Sequence, residues 1–139
     1  MKYSDGESDS FIFSLFSCVF EGNSAKISGG VGELWQLGGL VQIFFSIFIR
    51  NSASEGGVFN MNQEITTTNS IENCLFIDNI AGLQGANFNI LCATFNDTSS
   101  RYFFNNASIA AIYFVSSYSN VFLENSTIVK STNNWTFAF

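Results

Sequence analysis

The 139-residue chain contains no proline and no histidine, and only 12% of its residues are charged. An average chain of this length carries about seven prolines and about twice this share of charge. Each absence excludes something. Without histidine there is no Ser-His-Asp triad, no Cys-His pair and no histidine-ligated zinc. Five basic residues against eleven acidic ones give a net charge of −6. So few cations cannot neutralise the phosphates of a duplex, so no nucleic-acid partner is expected. Disordered chains are rich in proline and charge and poor in aromatics. Here 47% of the residues are hydrophobic and 17 are Phe, so a folded core is expected, of a size that suits one domain.

Targeting and membrane signals are also missing. The first ten residues carry Asp5, Glu7 and Asp9, where a signal peptide would be basic. They read as a flexible acidic tail ahead of a single domain over residues 11–139. The apolar stretches 11–20 and 37–49 are interrupted by Ser14 and Ser17, and by Gln42 and Ser46. Both fall short of the roughly 18 apolar residues of a spanning helix, and their Phe, Ile and Val content favours buried strands. Cys18, Cys74 and Cys92 are odd in number and lack metal-ligand spacing. They are expected to serve as small buried hydrophobes.

What is present is a repeat. Phe-x-x-Asn occurs at Phe20/Asn23, Phe48/Asn51, Phe76/Asn79, Phe103/Asn106 and Phe122/Asn125, at intervals of 28, 28, 27 and 19 residues. A sixth match, Phe59/Asn62, is out of phase. A small pair follows in the first four copies: Gly29-Gly30, Gly56-Gly57, Gly85-Ala86 and Ala110-Ala111. An apolar segment comes next each time.

A parallel β-solenoid explains this block physically. Each coil lays short strands on those of the previous coil, about 4.8 Å away, so equivalent residues stack in columns. A Phe column packs the interior, and an Asn column passes amide hydrogen bonds from coil to coil. Small residues allow tight corners. Proline is absent because interior strands donate hydrogen bonds to their neighbours. The expected fold is all-β, a solenoid of about five coils and roughly 28 residues per coil. The expected structural ladder is Phe20, Phe48, Phe76, Phe103 and Phe122, with Asn23, Asn51, Asn79, Asn106 and Asn125. In this frame Arg50 and Asp78 lie close enough for a surface ion pair.

Alternating FxxN and Gly-Gly-x-apolar elements resemble the repeat of the chlamydial polymorphic outer-membrane proteins, marked by FxxN and GGA(I/L/V). The likeness spans roughly residues 18–130. It implies a right-handed, pectin-lyase-like parallel β-helix in a cell-surface or extracellular setting, and it carries over no catalytic residue. Members of that family also have a signal peptide and a membrane barrel, and neither is expected in this chain.

Candidate sites are sparse. The eleven acids do not share columns on adjacent coils in this frame, Asp97 and Arg101 fall in an expected solvated loop, and no metal or cofactor is expected. Four N-glycosylation sequons start at Asn96, Asn106, Asn125 and Asn134. Asn106 and Asn125, as ladder residues, should be inaccessible. Trp35, Trp135, Tyr113 and Tyr118 are candidate sugar-stacking aromatics, although packing roles are the simpler expectation. The reading is a non-enzymatic structural or adhesive solenoid segment with a protein or glycan ligand on its exposed faces. The alternative is a carbohydrate-binding or carbohydrate-active β-helix, which a groove lined by Trp35 or by several acids would favour. With no capping helix in the sequence, end-to-end stacking with further coils is expected.

Overall fold

In the computed structural model the described residues are 2–4, 12–37, 39–63, 68–91, 94–115, 119–131 and 137–138. Every assigned element among them is a strand. β1 (Lys2–Ser4) precedes a first coil of β2 (Ile12–Phe16), β3 (Val19–Glu21) and β4 (Gly32–Leu37). The second coil holds β5 (Leu40–Phe44), β6 (Ile47–Ile49), β7 (Ser52–Glu55) and β8 (Phe59–Gln63). The third holds β9 (Thr68–Glu72), β10 (Leu75–Ile77), β11 (Ile80–Gln84) and β12 (Phe88–Leu91). The fourth holds β13 (Thr94–Thr98), β14 (Arg101–Phe103), β15 (Asn106–Ile109) and β16 (Tyr113–Val115). β17 (Asn120–Glu124), β18 (Thr127–Val129) and β19 (Phe137–Ala138) close the series. Three residues of the stretch expected as a tail thus form β1, which pairs with β4.

Strands pair with their counterparts in the neighbouring coils, always in parallel. The first sheet runs β1-β4-β8-β12-β16-β19, the second β17-β13-β9-β5-β2, the third β18-β14-β10-β6-β3 and the short fourth β15-β11-β7. Isolated bridges Ser24–Ser52 and Ser28–Glu55 extend the fourth into the first coil. The protein is therefore a parallel β-solenoid of about four turns. Successive coils are offset by 28 residues at first and by 26 later, as the Asn23–Asn51 and Asn79–Asn105 contacts show.

Corners are built from single left-handed residues stacked in columns. Between the second and third sheets these are Ser17, Phe45, Asn73, Ser99 and Asn125. Between the third and fourth they are Gly22, Arg50, Asp78, Phe104 and Lys130, and between the fourth and first Gly29, Gly56, Gly85 and Ala110. At the last corner Gly56 is needed sterically as well as torsionally, whereas the fourth coil accommodates Ala110 there. A Cβ on Gly56 would sit 2.2 Å from the Phe59 carbonyl oxygen.

Inside, two aromatic columns run along the tube. Phe20, Phe48, Phe76 and Tyr102 stack with centroid separations of 5.3, 4.9 and 4.8 Å. Phe59, Phe88 and Tyr113 form the second stack, at 6.0 and 4.9 Å. The two meet edge to face, Phe48 against Phe59 at 5.5 Å and Phe76 against Phe88 at 5.2 Å. Each fully buried ring contributes about 2 to 3 kcal/mol of apolar burial.

The sequence frame is correct for three coils and slips afterwards. Phe76 pairs with Tyr102, not with Phe103, and Tyr102 pairs with Ile128. The segment Tyr102-Phe103-Phe104-Asn105-Asn106 offers two overlapping frames, Tyr102/Asn105 and Phe103/Asn106. The chain uses the first, which places the Tyr102 hydroxyl against Asp97 and Tyr113. Phe103 faces outward on β14 and Asn106 is exposed. Phe122 lies on β17 of the second sheet, opposite Asn96, and is 60% exposed. Asn125 is a corner residue. The ladder therefore consists of Asn23, Asn51, Asn79 and Asn105.

The slip gives a direct test. Asn105→Ala should cost about 2 kcal/mol or more, because it strips partners from buried groups on the adjacent coil. Asn106→Ala should stay within about 0.5 kcal/mol, as an exposed substitution. Urea unfolding of the two variants measures the difference.

Candidate functional site

The ladder amides are fully committed to structure. Asn51 Oδ1 accepts from both the backbone N–H and the side-chain amide of Asn23, at 3.1 and 2.9 Å. Asn79 Oδ1 accepts the same pair from Asn51, at 2.9 and 3.1 Å, and Asn105 Oδ1 accepts it from Asn79, at 3.0 and 3.1 Å. The amides of Asn51, Asn79 and Asn105 also donate to the carbonyls of Phe20, Phe48 and Phe76. Asn51, Asn79 and Asn105 are fully buried. A buried amide with donors and acceptor all engaged has nothing left for a ligand.

A second ladder lies at the corner before the third sheet, in the column Cys18, Ser46, Cys74, Ser100, Ser126. The backbone N–H of Cys18 donates to Ser46 Oγ at 3.2 Å. Those of Cys74 and Ser100 donate to Ser100 Oγ and Ser126 Oγ at 3.3 and 3.2 Å. Cys18 and Cys74 are free thiols in one column, two coils apart. Burial pushes the Cys74 thiol up to about 11, against weaker opposing hydrogen bonds with Ser46 and Glu72. It is therefore no nucleophile at neutral pH. Cys92 lies outside the described residues.

Asp97 is not in a loop. It sits on β13 in an inward column whose other members are Leu15, Ile43, Ile71 and Leu123. Two further columns change chemistry in the same coil: Tyr102 follows Phe76, and Tyr113 follows Phe88. The three substitutions meet. Tyr102 and Tyr113 both donate to Asp97 Oδ2, the second at 2.9 Å, and their hydroxyls lie 2.8 Å apart. All three residues have no exposed surface. Burial raises the Asp97 carboxyl above its usual range, while hydrogen bonds from Ser100, Tyr102 and Tyr113 pull the other way. Burial, with the neighbouring Tyr113 hydroxyl and Asp97 adding to it, raises Tyr102 well above 10, and Tyr113 likewise shifts upward, chiefly through burial. The triad has the groups of an acid–base centre but no surface through which a substrate could reach it. Arg101, expected near Asp97, projects outward on the next strand.

Chemistry is more accessible at the crease where the fourth sheet turns into the first. Glu33, Asn60 and Asn89 share one outward column there. Ser28 Oγ donates to Glu33 Oε1 at 2.6 Å, and Asn89 Nδ2 donates to Asn60 Oδ1 at 2.8 Å. Longer contacts of 3.4 Å join Gln84 to Asn89 and Asn89 to Glu55. Asn60 and Asn89 are buried although they face outward, so the crease is concave. Trp35 stands two residues beyond Glu33 on the same face, beside Asn62, and is 39% exposed. Tyr113 is part of the core, and Trp135 and Tyr118 lie outside the described residues. Residue pattern alone could not flag this crease, because Asn60 and Asn89 occupy positions that alternation marks as solvated.

Other surface expectations resolve as follows. Arg50 pairs with Glu21, not with Asp78. Both partners are at least half exposed, so the pair contributes little stability. Asn96, Asn106 and Asn125 are all exposed, so the last two are accessible, contrary to their expected ladder burial. Asn134 lies outside the described residues. No group of three or more His, Cys, Asp or Glu able to hold a metal occurs among the described residues. No helix among them is long and apolar enough to cross a membrane. No protein-family model, curated protein or solved structure matches this chain.

Asp97 makes stability fall as pH rises. Its folded-state pKa is above the unfolded value of 3.8. Its contribution is therefore complete below pH 3.8 and lost as pH climbs through the folded value. Asp97→Asn should raise the melting temperature at pH 7, with the gap over the native chain closing toward pH 4. Tyr102→Phe should cost about 1 to 3 kcal/mol at pH 7, because Asp97 loses a buried donor. Thermal scans across pH check both.

Proposed function

We propose that this protein is a non-enzymatic structural or adhesive solenoid segment that works at a cell surface or outside the cell. The carrying observation is the fate of its polar interior. The ladder amides are engaged with one another, and the Asp97 carboxylate with Tyr102 and Tyr113, in the buried interior. Recognition is therefore left to the outward columns. The FxxN and Gly-Gly-x-apolar elements, similar to those of the chlamydial polymorphic outer-membrane proteins, support the surface setting. Among the described residues, the strands β2 and β3 at one end and β17 and β18 at the other each have a neighbour on one side only. Such edges are templates for strand pairing, which supports stacking with further coils.

One observation favours a second reading, carbohydrate binding at the crease. Glu33 and Trp35 share the outer face of one strand, with Asn60, Asn62 and Glu55 beside them. Amides and carboxylates suit sugar hydroxyls, and an indole face suits a sugar ring.

The two readings separate on one polysaccharide panel. Neither turnover nor binding that depends on the crease is expected for the adhesive reading. Turnover abolished by Glu33→Gln or Glu55→Gln would sink it. Binding without turnover, weakened at least tenfold by Trp35→Ala, would establish the second.

A further inference from the structure

In the middle coils the outer face of the second sheet mixes Leu40 and Phe44 with polar residues such as Gln42, Ser70, Glu72 and Asn96. The third presents Ile47, Ile49, Leu75, Ile77 and Phe103, all part-exposed, with Arg101 the one polar residue among them. Two corner residues frame this apolar stripe. Phe45 and Phe104 have φ of 51° and 56°, a left-handed conformation that disfavours bulky side chains. Each is 49% exposed, Phe45 meeting only Phe16 edge-on at 5.4 Å and Phe104 lying 6.4 Å from Phe103 among the described rings, so half of each ring stays in solvent. Other coils place Ser, Asn, Gly, Arg, Asp or Lys at these corners. Strained aromatics held in solvent mark a surface made for contact.

Phe45 also walls a groove of about 340 Å³, with Ile47, Leu75, Asn73 and Ser99 along it and Arg101 at its far side. Arg101 makes no ion pair among the described residues, whereas Arg50 is paired with Glu21. Arg101 lies two coils from Ile47, roughly 10 Å along the axis.

We propose that this groove receives an extended apolar segment of a partner protein, with a carboxylate of that segment seated on Arg101. Charge selects the occupant. A carboxylate answers the guanidinium and apolar side chains answer Ile47 and Leu75, so the occupant carries both. A lipid bilayer needs a broader apolar face than three-residue strands provide. A peptide in the extended polyproline II form rises about 3.1 Å per residue and returns to the same face every third residue, so a carboxylate three residues beyond an apolar anchor spans the required distance on the groove side. The proposal rests on the reading of the protein as a binding solenoid.

Fluorescence anisotropy on the intact chain tests it with two labelled octapeptides. One carries Glu three residues beyond an isoleucine anchor, and the other carries Lys there. The Glu peptide should bind at least tenfold more tightly, and Arg101→Glu should reverse the order. Phe45→Gly should abolish binding while raising the melting temperature by about 2 °C, because glycine relieves the left-handed strain. That rise separates loss of the groove from loss of the fold. Equal binding of the two peptides, binding that survives Phe45→Gly, or no binding overturns the proposal. A concentration-dependent dimer abolished by Phe45→Gly would assign the face to a second copy and overturn it too. Polysaccharide turnover would defeat the underlying reading without touching these peptide results.

Discussion

The buried backbone N–H groups at the corners of a parallel solenoid need acceptors from the neighbouring coil, and that requirement organises this molecule. A strand supplies and receives backbone hydrogen bonds at about 4.8 Å spacing. A corner interrupts that ladder and leaves N–H groups that burial would penalise by about 1 to 3 kcal/mol each. The Asn column answers them. Each amide oxygen takes two donors from the preceding coil, and each amide nitrogen reaches a carbonyl of that coil. The Ser and Cys column repeats the device at another corner with a single acceptor. Once these columns are aligned, the Phe column three residues upstream has no choice of neighbour. Ring stacking is then a consequence of register as much as a cause of it.

Columns also explain why the buried triad occurs as a set. In an aliphatic column a lone carboxylate would lose its hydration without compensation. Asp97 is tolerated because Phe gives way to Tyr in both adjoining aromatic columns of the same coil. Sliding that coil against its neighbours would bring the carboxylate to the level of Phe or Ile side chains with no hydroxyl. The triad thus favours one alignment among near-equivalent ones, and its burial separates it from any substrate.

The part of this architecture visible in the sequence is the part with constant phase. Phe20, Phe48 and Phe76 repeat at 28 residues together with their asparagines, so the columns can be read directly. The second aromatic stack escapes notice because Phe59, Phe88 and Tyr113 are separated by 29 and 25 residues. A bulge in β11 between Ala81 and Gln84 shifts the register by one residue against both neighbouring strands and so sets this column out of step with the first. The slip at Phe103 arises because doubled Phe and doubled Asn satisfy the motif in either frame. Only the hydroxyl contacts of Tyr102 decide between them. Asp97 reads as a loop acid because nothing in its neighbourhood signals that two distant tyrosines will converge on it. The crease is hidden for a related reason: outward residues become buried only when a neighbouring sheet folds over them.

Inward and outward columns therefore face different rules. An inward residue is constrained by two coils at once, so a change of chemistry there needs partners, as the triad illustrates. An outward residue answers mainly to solvent, so one coil can change without its neighbours. The third sheet shows this freedom, with Val19, Ile47, Leu75, Arg101 and Thr127 in one outward column. Its inward column remains aromatic from Phe20 to Tyr102. Specificity in such a molecule accumulates on the outside, coil by coil, while the inside preserves the alignment that presents it. The scarcity of charge has the same origin: most positions belong to ladders or stacks, which leaves charge to outward positions and corners such as Arg50, Glu72, Asp78, Arg101 and Glu124.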